Sequence, residues 1–272
     1  MKNLVQRTLS GIIYVALIVG AVLAGGWWFS ALMLLLAILA ILEFQHITIG
    51  RPQNGWQIAA TSLDLLMAIT LICIPSLYGI PSVLLMAGCL VLLFYFLARF
   101  TIALYDKAAN AFSSVAWSVM SLAYIALPLT MLNTVYDNNV KLSILAMFVM
   151  IWLNDTGAYC VGCTMGKHKM SPRLSPKKSW EGFFGGLFFC LVGGVLAYNL
   201  IPGSFSLVLW LVFGAMVCLL STWGDLFESL LKRSHNIKDS GHLIPGHGGI
   251  LDRIDSLLFV SIGTFAFFFL AQ

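Results

Sequence analysis

Charge is what this sequence has least of. Only 10% of the 272 residues are Asp, Glu, Lys or Arg, against about 25% in a soluble globular domain. The 11 acidic and 15 basic side chains leave a net charge of +4, too thinly spread to be a nucleic-acid footprint. Cysteine is equally uninformative. The six cysteines lie in or beside apolar segments, and Cys160 and Cys163 form a CxxC with no second pair and no histidine at zinc spacing. That excludes a disulfide framework and a zinc ribbon, leaving small apolar residues one helical turn apart.

What is abundant is apolar length: the chain is 60% hydrophobic. A spanning helix needs about 20 mostly apolar residues, and candidates lie at 9–24, 27–48, 57–77, 81–98, 112–133, 141–162, 182–201, 205–230 and 250–270. The expected fold is an all-α polytopic membrane protein with about nine transmembrane helices. An uncleaved first helix is simpler than a signal peptide, because a second apolar run starts at Trp27. Basic residues in short loops favour the cytoplasmic side. With the N-terminus cytoplasmic, Lys2, Arg7, Arg51, Arg99, Lys107 and the basic clusters at 167–178 and 232–238 all fall inside, and Lys141 outside.

Two regions follow. Residues 1–140 are lipid-style helix with short connections, and 141–272 carry most titratable groups. Asp155 and Asp225 interrupt spans, and Asp252 and Asp255 open the last one. An aspartate at mid-membrane costs about 2.5–3.5 kcal/mol, so such acids face a wet cavity, basic partners or a metal. Ser221, Asp225, Glu228 or Ser229, and Lys232 or Arg233 form one polar stripe at helical spacing, and Asp252, Asp255 and Ser256 another. Between the stripes lies Pro245-Gly246-His247-Gly248-Gly249. Glycines let a ligand approach the backbone, and the N-terminus of the last helix just beyond favours anions. An ionised Asp252 beside a phosphate calls for a cation, and Mg²⁺ is the oxygen-seeking choice. His247 is a candidate proton carrier or metal ligand. The other inward loop, GKHKMSPRLSPKKSWEG, reads as sidedness, anionic-lipid attraction or a clamp on polyphosphate. Asp64, alone in the third span, reads as a hydrogen-bonded or helix-packing residue.

The stretch from Ser229 to Asp255 resembles the signature of the phosphatidate cytidylyltransferases. The matching residues are Ser229, Lys232-Arg233, Lys238-Asp239, Gly241, Pro245, His247-Gly248-Gly249 and Asp252-Arg253-Ile254-Asp255. NDTGAY (154–159), GKHK (166–169), SPKKSWEG (175–182) and GDLFES (224–229) are similar to further blocks of that family, with Asn154 where a small residue is more usual. The resemblance implies cytidylyl transfer from CTP to phosphatidic acid, giving CDP-diacylglycerol and pyrophosphate in phospholipid biosynthesis. It implies a catalytic set of Asp225, Asp252, Asp255, Lys232, Arg233 and His247. It also implies substrate contacts from Asp155, Lys167, Lys177, Lys178, Ser229, Lys238, Gly248, Gly249 and Arg253. Asp225 and Asp252 are the implied Mg²⁺ ligands, with K⁺ a second cation. A homodimer among membrane lipids, in a bacterial cytoplasmic membrane with the site facing the cytoplasm, completes the implication.

The chemistry agrees without the resemblance, because a lipid phosphate is already an anionic nucleophile and phosphoryl-type transfer is mostly positioning and electrostatics. Alternatives are a related CTP-dependent enzyme acting on another lipid and an ion-coupled carrier. Confinement of the polar elements to the second half counts against a carrier. The CDP-alcohol phosphotransferases need an Asp-Gly dipeptide, which the chain lacks.

Overall fold

The computed structural model describes residues 2–73, 81–241 and 248–271. Helix dominates because a chain this apolar must pair its backbone groups within each segment. α1 (Lys2–Ala24), α2 (Gly26–Thr48), α3 (Gly55–Cys73) and α4 (Pro81–Tyr105) lead to a fifth span in three parts. These are α5 (Ala111–Ser121), a π-helical turn (Leu122–Ala126) and α6 (Leu127–Val135). Then follow α7 (Lys141–Met165), strands β1 (Lys169–Ser171) and β2 (Ser175–Ser179), α8 (Trp180–Leu200), α9 (Leu207–Ser234) and α10 (Leu251–Leu270).

Eight helical stretches among the described residues are long and apolar enough to cross a membrane. Of the nine expected, the first is the short one, its apolar part being Leu9–Ala24. Large apolar side chains stand exposed along these helices, Trp27, Leu104, Phe112 and Phe188 among them. A surface of that kind is solvated by lipid. The protein is a polytopic α-helical membrane protein, as the sequence predicts.

Two compact units form, residues 1–29 with 134–272 and residues 30–133. Compactness therefore draws a different line from the sequence division at 140/141. In the first unit the Tyr136 hydroxyl donates to the Val22 carbonyl at 2.7 Å, the Phe29 and Tyr136 rings stack, and α1 packs on α7. These ties bring the N-terminal segment to the C-terminal helices, which no local pattern could announce.

Within that unit α7, α8, α9 and α10 pack in sequence order. Ser179 caps α8 by accepting from the Gly182 amide, and Ser206 caps α9 by accepting from Leu209, each satisfying a donor the helix start leaves open. Of the two Ser-Pro pairs in the basic loop, the first opens a turn at 172–174 and the second lies in a strand, so the loop folds as an antiparallel hairpin, β1 with β2. Pro176 sits in β2, tolerable because a two-stranded ribbon is all edge. α9 and α10 cross at Gly224, where a β-carbon would come within 2.5 Å of the Asp255 carbonyl oxygen. Gly224→Val should lower the detergent melting temperature, since backbone cannot yield and overpacking costs about 1–3 kcal/mol. An unchanged melt would show the crossing has slack.

The second unit is organised around a buried polar cluster. Asp64 Oδ1 accepts from the Tyr95 hydroxyl at 2.8 Å, and its Oδ2 accepts from Gln45 Nε2 at 2.7 Å and Ser118 Oγ at 2.6 Å. Arg99 Nε lies 3.4 Å from Asp64 Oδ1, and Arg99 Nη2 donates to Ser118 Oγ at 2.8 Å. Both charged residues are buried. Asp64 is thus the hydrogen-bonded packing residue expected. Arg99 corrects the sequence reading, because α4 runs on to Tyr105 and makes it an interior ion-pair partner instead of a loop charge. Beyond the spans, Asn54 and Gln57 donate to Asp106 and hold its carboxyl below the ordinary range. The π-helical turn falls between the serines of α5 and Asn133 of α6, which donates to the Ile72 carbonyl and accepts from Ser30 Oγ.

Candidate active site

The acids that interrupt the spans come together with the basic hairpin in the first unit. Lys178, from β2, places its Nζ 2.8 Å from Asp225 Oδ2 and 3.3 Å from the Thr222 carbonyl oxygen. Ser229, one turn further along α9, donates to Asp225 Oδ1 at 3.3 Å. Lys178, Thr222 and Asp225 border a cavity of about 320 Å³, whose lining also includes Asp155, Lys177 and Ser221 but not Ser229. The Ser221 hydroxyl is buried there with no partner.

A second cavity, about 210 Å³, lies among α1, α7 and α10, with Tyr14, Asp155, Asp252, Arg253 and Asp255 in its lining. Asp155 borders both cavities. The carboxylates of Asp155, Asp225 and Asp255 are close enough to act on one another electrostatically, with Lys178 the lysine that offsets them.

Asp252 is wired differently. Lys232 Nζ bridges Glu228 Oε2 at 2.6 Å and Asp252 Oδ1 at 2.8 Å. Asp252 Oδ2 accepts from the backbone amides of Ser240 at 3.0 Å and Gly249 at 2.9 Å. One carboxylate therefore holds both Ser240 and Gly249 to the first turn of α10. Gly248 has φ of 85°, and a β-carbon there would lie 2.5 Å from Asp252 Oδ2, so only glycine serves. The Gly249 amide, within the anion site read from the sequence, is taken by the chain's own aspartate.

The predicted residues thus divide. Asp155, Lys177, Lys178 and Asp225 meet in one cavity, and Asp155, Asp252, Arg253 and Asp255 in the other. Asp225 and Asp252, the predicted metal pair, border different cavities. Lys167, Arg233 and Lys238 line neither. Arg233 Nη1 donates to the Ile237 carbonyl at 3.0 Å, where Asn236 turns α9 off with φ of 57°. His247, with Pro245 and Gly246, lies outside the described residues.

Among the described residues, no group of three His, Cys, Asp or Glu side chains converges as a metal cage. The donor chemistry of the hairpin-side cavity nonetheless fits a hard divalent cation, because Asp155, Asp225 and the buried, unpartnered Ser221 hydroxyl offer the oxygen ligands Mg²⁺ takes.

Three participants stand outside the set of site residues read from the sequence. Glu228 was an alternative in the α9 stripe, and its i,i+4 spacing to Lys232 was the available signal. Glu181 organises GKHK, accepting from the Lys167 amide at 3.1 Å and meeting His168 Nδ1 at 2.6 Å. Tyr14 gave no signal inside an apolar span, yet its hydroxyl donates to the Arg253 carbonyl at 3.0 Å.

Comparison with known proteins agrees over nearly the whole chain. The sequence model of the cytidylyltransferase family matches residues 5–271. The phosphatidate cytidylyltransferase of Staphylococcus haemolyticus is 32% identical over 254 residues, covering 93% of this chain and 95% of the relative. That of Staphylococcus saprophyticus is 33% identical over 254 residues, with the same coverage. That of Staphylococcus aureus strain COL is 32% identical over 256 residues, again with 93% and 95% covered. With intramembrane acids gathered against a basic hairpin, and a match from residue 5 to residue 271, this chain belongs to the cytidylyltransferase family.

Proposed function

We propose that the protein transfers the cytidylyl group of CTP to phosphatidic acid, at the cytoplasmic face of a bacterial cytoplasmic membrane. The observation that carries this reading is the pair of cavities meeting at Asp155, one bordered by lysines and the other by membrane-spanning helices. A phosphate oxygen of the lipid attacks the α-phosphorus of CTP, forming a new P–O bond. The bond from that phosphorus to the β-phosphate oxygen breaks, and pyrophosphate carries away the electron pair.

No side-chain nucleophile is required. Lys177 and Lys178 attract and balance the phosphates. Lys167, Arg233 and Lys238 add positive potential around the approach, and Ser229 holds the Asp225 carboxylate. Gly248 and Gly249 shape the loop beside the reacting groups, and the role of proton carrier falls in this reading to His247. Asp225, with Asp155 and Asp255, would hold Mg²⁺, Asp252 would join them by exchanging its Lys232 contact for the cation, and K⁺ would be a second cation. When bound, Mg²⁺ neutralises the triphosphate and the departing pyrophosphate. Lys232 stands between Glu228 and Asp252 and fixes where the Asp252 carboxylate sits. A cytoplasmic N-terminus and a homodimer embedded among membrane lipids belong to the same reading.

The test is label transfer from α-labelled CTP into the organic phase, with Mg²⁺, phosphatidic acid and detergent-purified protein. Label that requires phosphatidic acid, with matching pyrophosphate release, supports the reading. Transfer only to another lipid phosphate points to a related CTP-dependent enzyme, and silence with every lipid restores the carrier. Lys178→Ala should raise KM for CTP about ten-fold, the loss of one shared charge contact of roughly 1.4 kcal/mol. An unchanged KM would leave the hairpin to membrane sidedness.

A further inference from the structure

We infer that Glu228 is the receiving group for Lys232: the ammonium moves wholly onto Glu228 when Asp252 gives its Oδ1 to a cation. Glu228 is then a positioning residue that sets cation affinity without touching the cation. This rests on the cytidylyl-transfer reading, in which Asp225 and Asp252 hold Mg²⁺, and gives a task to a carboxyl group that reading leaves idle. Both of those aspartates already hold a lysine ammonium at 2.8 Å, Asp225 that of Lys178 and Asp252 that of Lys232. An ammonium and a divalent cation repel each other at one oxygen. Each lysine therefore needs somewhere to go.

The two lysines leave into different surroundings. Lys178 comes from the hairpin, lines the 320 Å³ cavity and keeps the Thr222 carbonyl as a partner. Its ammonium can turn into that cavity, where phosphate oxygens or water receive it. Lys232 has no such outlet. Its side chain is 13% exposed, with Glu228 at 2% and Asp252 at 8%. A buried charge left without a partner is strongly unfavourable, so a second acceptor must be at hand.

Glu228 supplies it. Its Oε2 already lies 2.6 Å from Lys232 Nζ, so the ammonium stays paired while it turns. Its Oε1 is buried with no partner, which leaves a second acceptor on the same side chain. The i,i+4 spacing on α9 keeps the two side chains adjacent, and lysine carries three rotatable donors on a flexible stem. Before the exchange Lys232 fixes the Asp252 carboxylate. During it the Ser240 and Gly249 amides keep Oδ2 in place, so Oδ1 alone changes partner.

The experiment titrates Mn²⁺ onto the full chain in detergent, without CTP or lipid, and reads binding by electron paramagnetic resonance. Glu228→Gln should weaken Mn²⁺ binding about ten-fold when Lys232 is present. In a Lys232→Met background the same substitution should cost about two-fold or less, because no ammonium has to be displaced. Glu228→Asp, which keeps the carboxylate, should recover most of the native affinity. A Glu228→Gln penalty as large without the lysine as with it would mean that Glu228 acts on the cation by charge alone. That result would overturn the exchange, as would no penalty in either background. A second measurement needs no variant. The structure of the unsubstituted protein with Mn²⁺ bound should show Lys232 Nζ on both Glu228 oxygens and withdrawn from Asp252. Nζ still on Asp252, or Mn²⁺ bound without Asp252, would sink the inference. A protein that makes the exchange yet transfers no label from CTP would refute the reaction and leave the exchange standing.

Discussion

Asp252→Asn protein, purified in detergent, should lose cytidylyl transfer by on the order of 100-fold, the usual loss on removing one preorganised electrostatic partner. The argument is geometric. Asp252 combines three tasks: it accepts the Lys232 ammonium, it ties Ser240 and Gly249 together, and it opens α10 beside the acidic wall. Asparagine keeps the shape but offers one oxygen where the native side chain uses both. Lys232 retains Glu228 within α9, and α9 and α10 remain joined where Gly224 meets the Asp255 backbone and Ser256 Oγ donates to the Ser221 carbonyl, so the protein should melt close to the native temperature. The loop ends should become more susceptible to protease. An Asp252→Asn enzyme that keeps a third or more of its turnover would remove this carboxylate from the machinery.

The second large effect concerns stability. Asp64→Ala leaves the Arg99 guanidinium buried with only neutral partners. Breaking a buried pair from one side costs about 3–5 kcal/mol. Part of that could be recovered in Asp64→Leu/Arg99→Met, which removes both charges and refills the space with apolar atoms. The measurement is tryptophan-monitored thermal unfolding in detergent, applied to both variants. Asp64→Ala melting within about 2 °C of the native protein would mean that water or lipid reaches Arg99.

Much of this architecture is legible from the chain because lipid imposes a simple rule. Apolar runs of sufficient length must be helices, so 182–201 as read and Trp180–Leu200 as found differ by two residues or fewer at each end. The same rule makes Asp155, Asp225, Asp252 and Asp255 conspicuous, and each lines one or both of the two cavities. Choice of partner is what periodicity leaves open. A stripe on α9 groups Lys232 with Arg233, yet adjacent residues point about 100° apart. One reaches Asp252 and the other folds back on Ile237. Arg99 looked like a loop charge because its span was ended at residue 98. Tyr14 and Arg253 are 239 positions apart, and nothing in an apolar helix marks which of its faces will meet protein. The small hairpin was missed for the opposite reason: Ser-Pro pairs suggest turns, while the Glu181 carboxylate that organises GKHK beside it lies within the next helix.

The π-helical turn in the fifth span has an effect on phase. A turn of this kind holds one residue more than the α-helix around it, so every side chain beyond it is rotated by about 100° from where an uninterrupted helix would carry it. Ser114 and Ser118, before the turn, face the Arg99 guanidinium. Asn133, after it, bridges Ile72 and Ser30. The two polar rows answer to different neighbours, and the surplus residue at 122–126 works as a vernier that sets them independently on a single rod. Length and angular setting are thus decoupled in this span. A chain one residue shorter here would cross the same thickness of membrane with Asn133 aimed elsewhere.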